Sequence, residues 1–111
     1  MNDVVKNFDL GTILTYTTNH SCVDDFYKVF ELAWFVFNDK TINDSGLCFL
    51  GREIRRHIIT IHPELAKIRY DISKDVHEFV NKQKEIFGDV LPVTRMGVSL
   101  PKDKIKKIGE K

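Results

Sequence analysis

The chain has 111 residues, of which 42% are hydrophobic and 30% charged, with a formal net charge of +1. That length fits one domain, because two independent cores would each be too small, and the composition excludes wholesale disorder. No apolar run approaches the roughly 20 residues a membrane helix needs, and a charge near zero gives no global attraction for nucleic acid or an anionic membrane.

Residues 1–10 show no basic region followed by an apolar core, so no secretory signal is expected. Asp9 is placed to cap a short helix over residues 10–15, with Leu10, Ile13 and Leu14 facing inward. The β-branched and aromatic run Thr15, Tyr16, Thr17, Thr18 suits an extended segment, and residues 19–21 a turn. Cys22 and Cys48 are the two cysteines. So sparse a set points to free thiols in a reducing cytoplasm, with a single bridge as the alternative.

Residues 23–38, VDDFYKVFELAWFVFN, predict an aromatic helix with Asp24 and Asp25 in its first turn. Phe26, Phe30, Ala33 and Phe37 form one stripe, while Tyr27, Trp34 and Phe35 lie to its side. A helix apolar nearly all round is either the central core helix or one that gains a partner, and Trp34 and Phe35 are the candidate partner-binding residues.

After a polar loop over residues 38–46, a helix is expected over residues 47–62, ended by Pro63. Leu47, Leu50, Ile54, Ile58, Ile61 and Leu65 give it an apolar seam. Its outer face carries Arg52, Glu53, Arg55, Arg56 and His57. The arginines Arg52, Arg55 and Arg56 can share one face and hold a phosphate or an acidic protein surface by forked hydrogen bonds; a solvated basic face is the ordinary alternative.

Ser73 is the expected cap of a last helix over residues 73–87, with Val76, Phe79, Val80, Gln83, Ile86 and Phe87 inward and Glu78 paired to Lys82. Gly88 ends it in a left-handed conformation. Residues 90–94, VLPVT, read as an edge strand because Pro92 lacks a donor. From residue 98 to 111 come five lysines against Asp103 and Glu110, the composition of a flexible tail.

No metal or cofactor is expected. There is no Cys-x-x-Cys or His-x-x-x-His pair, and His57 and His62, five apart, point about 140° apart on a helix. No glycine frame surrounds either cysteine, Cys48 is expected to pack, and Asp24 and Asp25 diverge, so no catalytic residues are assigned and a non-enzyme is expected. The lysine tail lacks the interleaved aromatics of a single-strand binder.

Several signatures in order resemble a small domain family of unknown function encoded by bacteriophages and prophages. Gly11, Leu14, Thr17 and Thr18 are similar to its Gly-x-x-Leu-x-x-Thr-Thr opening. The aromatic helix around Phe26-Tyr27-Lys28-Val29-Phe30-Glu31-Leu32 follows, then Gly51-Arg52-Glu53, His62-Pro63-Glu64-Leu65 and Phe87-Gly88-Asp89-Val90-Leu91. The resemblance covers residues 8–93 and departs from the family's Thr-His-Gln-Leu segment at residues 42–47. It implies a phage setting and no particular activity.

Together these readings predict a single α+β domain over residues 1–97, mainly helical, with three to four helices. A minor two-stranded sheet is expected to pair the region 15–23 with 90–94. The expected function is binding in the bacterial host cytoplasm. A counter-defence inhibitor of a bacterial immune protein leads, and a homo-oligomer is expected. A sponge for a nucleotide immune signal and a small nucleic-acid-binding regulator are the alternatives.

Overall fold

The computed structural model describes residues 4–98. The lysine-rich tail, beyond Val98, lies outside the described residues. Four helices and a two-stranded antiparallel sheet form an α+β domain, as the sequence predicts. The elements run β1 (Val5–Asp9), α1 (Leu10–Thr18), α2 (Tyr27–Phe37), α3 (Asp44–Ile61), a 3₁₀ turn (Pro63–Lys67), α4 (Val76–Phe87) and β2 (Val90–Thr94).

Helix α1 is the centre, touching every other element. Leu10, Ile13 and Leu14 are fully buried, and Gly11, Thr12, Tyr16 and Thr17 are buried with them. Enclosing an aliphatic side chain of this size stabilises by about 1.5–3 kcal/mol. Asp9 caps the helix by accepting from the Gly11 N–H at 3.0 Å. The extended segment expected at residues 15–18 is instead helical. The Thr15 and Thr18 hydroxyls donate to the carbonyls of Gly11 and Leu14, one turn back, at 2.9 and 2.7 Å. These bonds, with the burial of Tyr16 and Thr17 between them, override their β preference. Asn19 then ends the helix at φ 58°.

The sheet's partner strand is therefore β1, not the region 15–23. Val5 lies opposite Thr94, Asn7 opposite Pro92 and Asp9 opposite Val90. Flanking bonds from Arg95 N–H to the Val4 carbonyl and from Leu10 N–H to the Asp89 carbonyl fix the alternation. Pro92 thus sits at a non-bonded pair, where its missing donor costs nothing. The same alternation turns the carbonyls of Pro92 and Thr94 away from β1. His62 Nε2–H donates to the Pro92 carbonyl at 2.7 Å, and His57 Nε2 meets the Thr94 carbonyl at 2.8 Å. His57 is buried rather than on the outer face of α3, where Glu53 pairs with Arg56 at 3.7 Å. The helical 140° separation of the two rings does not apply, because His62 has already left the helix at φ −133°, ψ 73°.

Three helix starts move from their expected places, two of them for a capping reason. Helix α2 begins at Tyr27, after a turn in which Asp25 accepts from the Tyr27 N–H at 3.0 Å. Helix α3 begins at Asp44, because Asn43 accepts from the Gly46 N–H at 3.0 Å. Helix α4 is capped by Asp75 and not by Ser73, which is held in a turn by Asp71. The α3 seam is as expected, with Ile54, Ile58 and Leu65 fully buried. On α4 the expected inner residue Ile86 faces out. Gly88 closes α4 at φ 98°, ψ 169°, a conformation for glycine alone.

Candidate functional site

Helix α2 buries Val29, Leu32, Ala33, Phe35 and Val36, a face rotated from the expected Phe26, Phe30, Ala33, Phe37 stripe. Its other face keeps a row of rings in touch. Phe26 meets Phe30 edge-on at 5.8 Å, Phe30 meets Trp34 at 5.8 Å, and Tyr27 meets Trp34 edge-on at 5.3 Å. Phe26 is 49% exposed and Tyr27 56%, while Phe30 and Trp34 are half-buried. The Trp34 indole N–H donates to the Ile42 carbonyl at 3.0 Å, which pins the loop ahead of α3. Phe35 is a core residue: it packs on Phe8 at 5.6 Å and lies under the Arg95 guanidinium at 4.3 Å. Tyr27, Trp34 and Phe35 line a cavity of about 530 Å³, with Lys6, Lys40 and Arg95 as its cations and Glu31 as its carboxylate.

Arg52, Arg55 and Arg56 line a different cavity, of about 750 Å³, between the end of α1 and the outer stripe of α3. Arg55 Nε–H donates to the Thr17 carbonyl at 3.2 Å, a cation at the negative end of α1. Arg56 is exposed beside Glu53, and Arg52 is exposed with no ion pair among the described residues. This cavity shares Tyr16, Asn19, Leu47, Cys48 and Gly51 with a neighbouring one of about 370 Å³, lined further by Phe26, Val29, His20 and Asp44. The two form one trough, apolar at the Phe26 end and basic at the Arg52 end. Tyr16 supports its wall: its hydroxyl donates to the Val29 carbonyl at 2.6 Å, and burial raises its pKa far above the ordinary tyrosine value.

The structure thus separates the sequence-predicted residues into two groups, Trp34 with Phe35 and the three arginines. Phe26, which lines the apolar end of the trough, begins the ring row that leads to Trp34. Sequence reasoning missed Tyr27, Lys6, Lys40 and Arg95, which come together only through the sheet and α2. It also missed Gly51, whose signal was legible as a glycine in the interior of a long helix.

Among the described residues neither cysteine is hydrogen-bonded to a histidine ring. Both are free. Cys22 is buried, and burial raises its thiol pKa, partly offset by the Thr18 hydroxyl. Its sulfur meets the backbone carbonyl of His20 at 3.3 Å. Cys48, expected to pack, is exposed on the trough. The His20 ring stacks on Tyr70 at 4.4 Å. Among the described residues no group of three or more His, Cys, Asp or Glu converges to hold a metal ion, and no helix is long and apolar enough to cross a membrane. Comparisons with protein-family models, curated proteins and solved structures find no match.

Proposed function

We propose that this chain is a non-enzymatic accessory protein of a phage or prophage that acts by binding. In this reading it docks a bacterial protein through the outward aromatic face of α2, and its specific role is counter-defence, occupying a bacterial immune protein. The observation that supports the reading is the open ring row of α2. Phe26 and Tyr27 leave about half of their surface in water although the helix also buries a full apolar face. Large aromatics of this kind anchor protein interfaces, with arginine ranking beside them. The Trp34 N–H is already satisfied within the chain, so its ring offers apolar surface without an unpaired donor. Lys6 and Lys40 give the face a basic rim suited to a partner with acidic residues around an apolar centre. The phage setting is supplied by the motif resemblance alone.

Affinity capture from a bacterial lysate, run beside light scattering, tests this reading. Wild type is expected to retain a partner that Tyr27→Ala and Trp34→Ala each weaken by about 30-fold, the loss of a typical hot-spot ring. Tyr27→Ala is the cleaner variant, because that side chain is the more exposed. Undiminished capture by both variants overturns the docking face. A homo-oligomer that Tyr27→Ala dissolves, with no bacterial protein retained, assigns the face to a second copy instead.

A further inference from the structure

Gly51 sits in the interior of the 18-residue helix α3 and lines both parts of the trough. A Cβ built there meets nothing within 4 Å. Glycine weakens a helix interior, and the chain's own packing gives no reason for it here. What its absent side chain does provide is an uninterrupted floor between the basic and apolar ends, on which a bound group can approach the helix backbone.

The walls define what such a group is. At the basic end, the 750 Å³ cavity holds three guanidinium groups and no carboxylate among its lining residues. The Nε bond of Arg55 to Thr17 fixes that guanidinium plane while its terminal nitrogens make no other hydrogen bond among the described residues. Forked donors of this kind suit the oxygens of an anion, a phosphate among them. At the other end, Phe26 and Leu47 offer apolar surface, edged by Asn19, His20 and Asp44. A hydrocarbon chain would leave those polar edges unpaired. A heterocyclic base uses them, with its face on the Phe26 ring and its N–H groups toward the Asp44 carboxylate. Both volumes fall in the range of small-molecule sites, roughly 300–1,000 Å³.

We propose that the trough between α1 and α3 binds a nucleoside phosphate, its phosphate on Arg52, Arg55 and Arg56 and its base in the apolar end beyond Gly51. This site shares Phe26 with the ring row of α2 but uses neither Tyr27 nor Trp34, and it does not depend on the docking reading.

Calorimetry on the full chain tests the assignment, with adenosine and guanosine 5′-monophosphate, inorganic phosphate and dodecyl phosphate as probes. At least one nucleotide is expected to bind, with inorganic phosphate weaker by about tenfold or more for want of the base contacts. Gly51→Leu, at a position where a Cβ meets nothing within 4 Å, is expected to retain the fold by circular dichroism yet to weaken nucleotide binding about tenfold or more by blocking the floor. The double variant Arg52→Ala, Arg56→Ala is expected to lose a similar factor, leaving Arg55 to hold α1. Tyr27→Ala binds the nucleotide as wild type does, so a failed docking face leaves this result standing. Three outcomes overturn the proposal: no heat from either nucleotide up to millimolar concentration, nucleotide affinity unchanged by Gly51→Leu, or dodecyl phosphate bound in preference to both nucleotides.

Discussion

Gly11 and Gly51 are both helical glycines, and their surroundings give them opposite signs. A Cβ on Gly11 lies 2.7 Å from the Cys22 backbone carbonyl and 2.9 Å from the Asp9 carboxylate that caps α1. Neither can retreat without moving the chain or losing the cap. Gly11→Ala is therefore expected to destabilise by about 1–3 kcal/mol despite the better helix propensity of alanine. Gly51→Ala, with open space at the same atom, is expected to stabilise by up to about 1 kcal/mol. Denaturant unfolding of the two variants beside wild type checks both signs. His62 supplies a pH dependence. Burial lowers its pKa below 6.5, opposed by its bond to the Pro92 carbonyl and by the nearby Glu64 charge. Above pH 6.5 the ring is neutral in both folded and unfolded chains, and its contribution is fully present. As the pH falls below 6.5 the unfolded chain takes up the proton more readily, and stability declines through the depressed folded value. The unfolding midpoint is expected to fall between pH 7 and 5, with a shallower slope in His62→Gln.

At the scale of elements, capping decides where the helices begin. Asp75 accepts from the N–H groups of both His77 and Glu78, at 2.8 and 3.2 Å, whereas Ser73 serves only its own turn. Asp75→Ala is expected to cost about 0.5–2 kcal/mol and Ser73→Ala much less, read from the shift of the unfolding transition. The α3 seam was legible in the sequence because Leu47, Leu50, Ile54, Ile58 and Ile61 keep a helical period facing one core. The second half of α1 was not. Its threonines carry a strand preference that only burial and hydroxyl bonds to the preceding turn reverse. Nor was β1, since Val5–Asp9 buries only Phe8 and its strand character comes from a partner at the far end of the fold. The same divide runs through the sites. The three arginines could be placed on one face from spacing alone. Tyr27 beside Lys6 and Arg95 could not, because their meeting depends on how β1 and α2 dock.

In the whole molecule, β2 is held from two directions. Hydrogen bonds from β1 hold one edge, and the rings of His57 and His62 take the carbonyls on the other. Met96 N–H then donates to the Val36 carbonyl, joining the end of that strand to α2. The ring row of α2 and the trough therefore share a scaffold in which α1 is the common support. The pairing of Val5 with Thr94 also sets a schedule for synthesis. On the ribosome β1 emerges first and waits, its ladder groups unmatched, until nearly all the described chain has followed. A nascent product that stops short of Val90 carries α1 without the strand that closes over it, and so exposes a sticky edge to quality control.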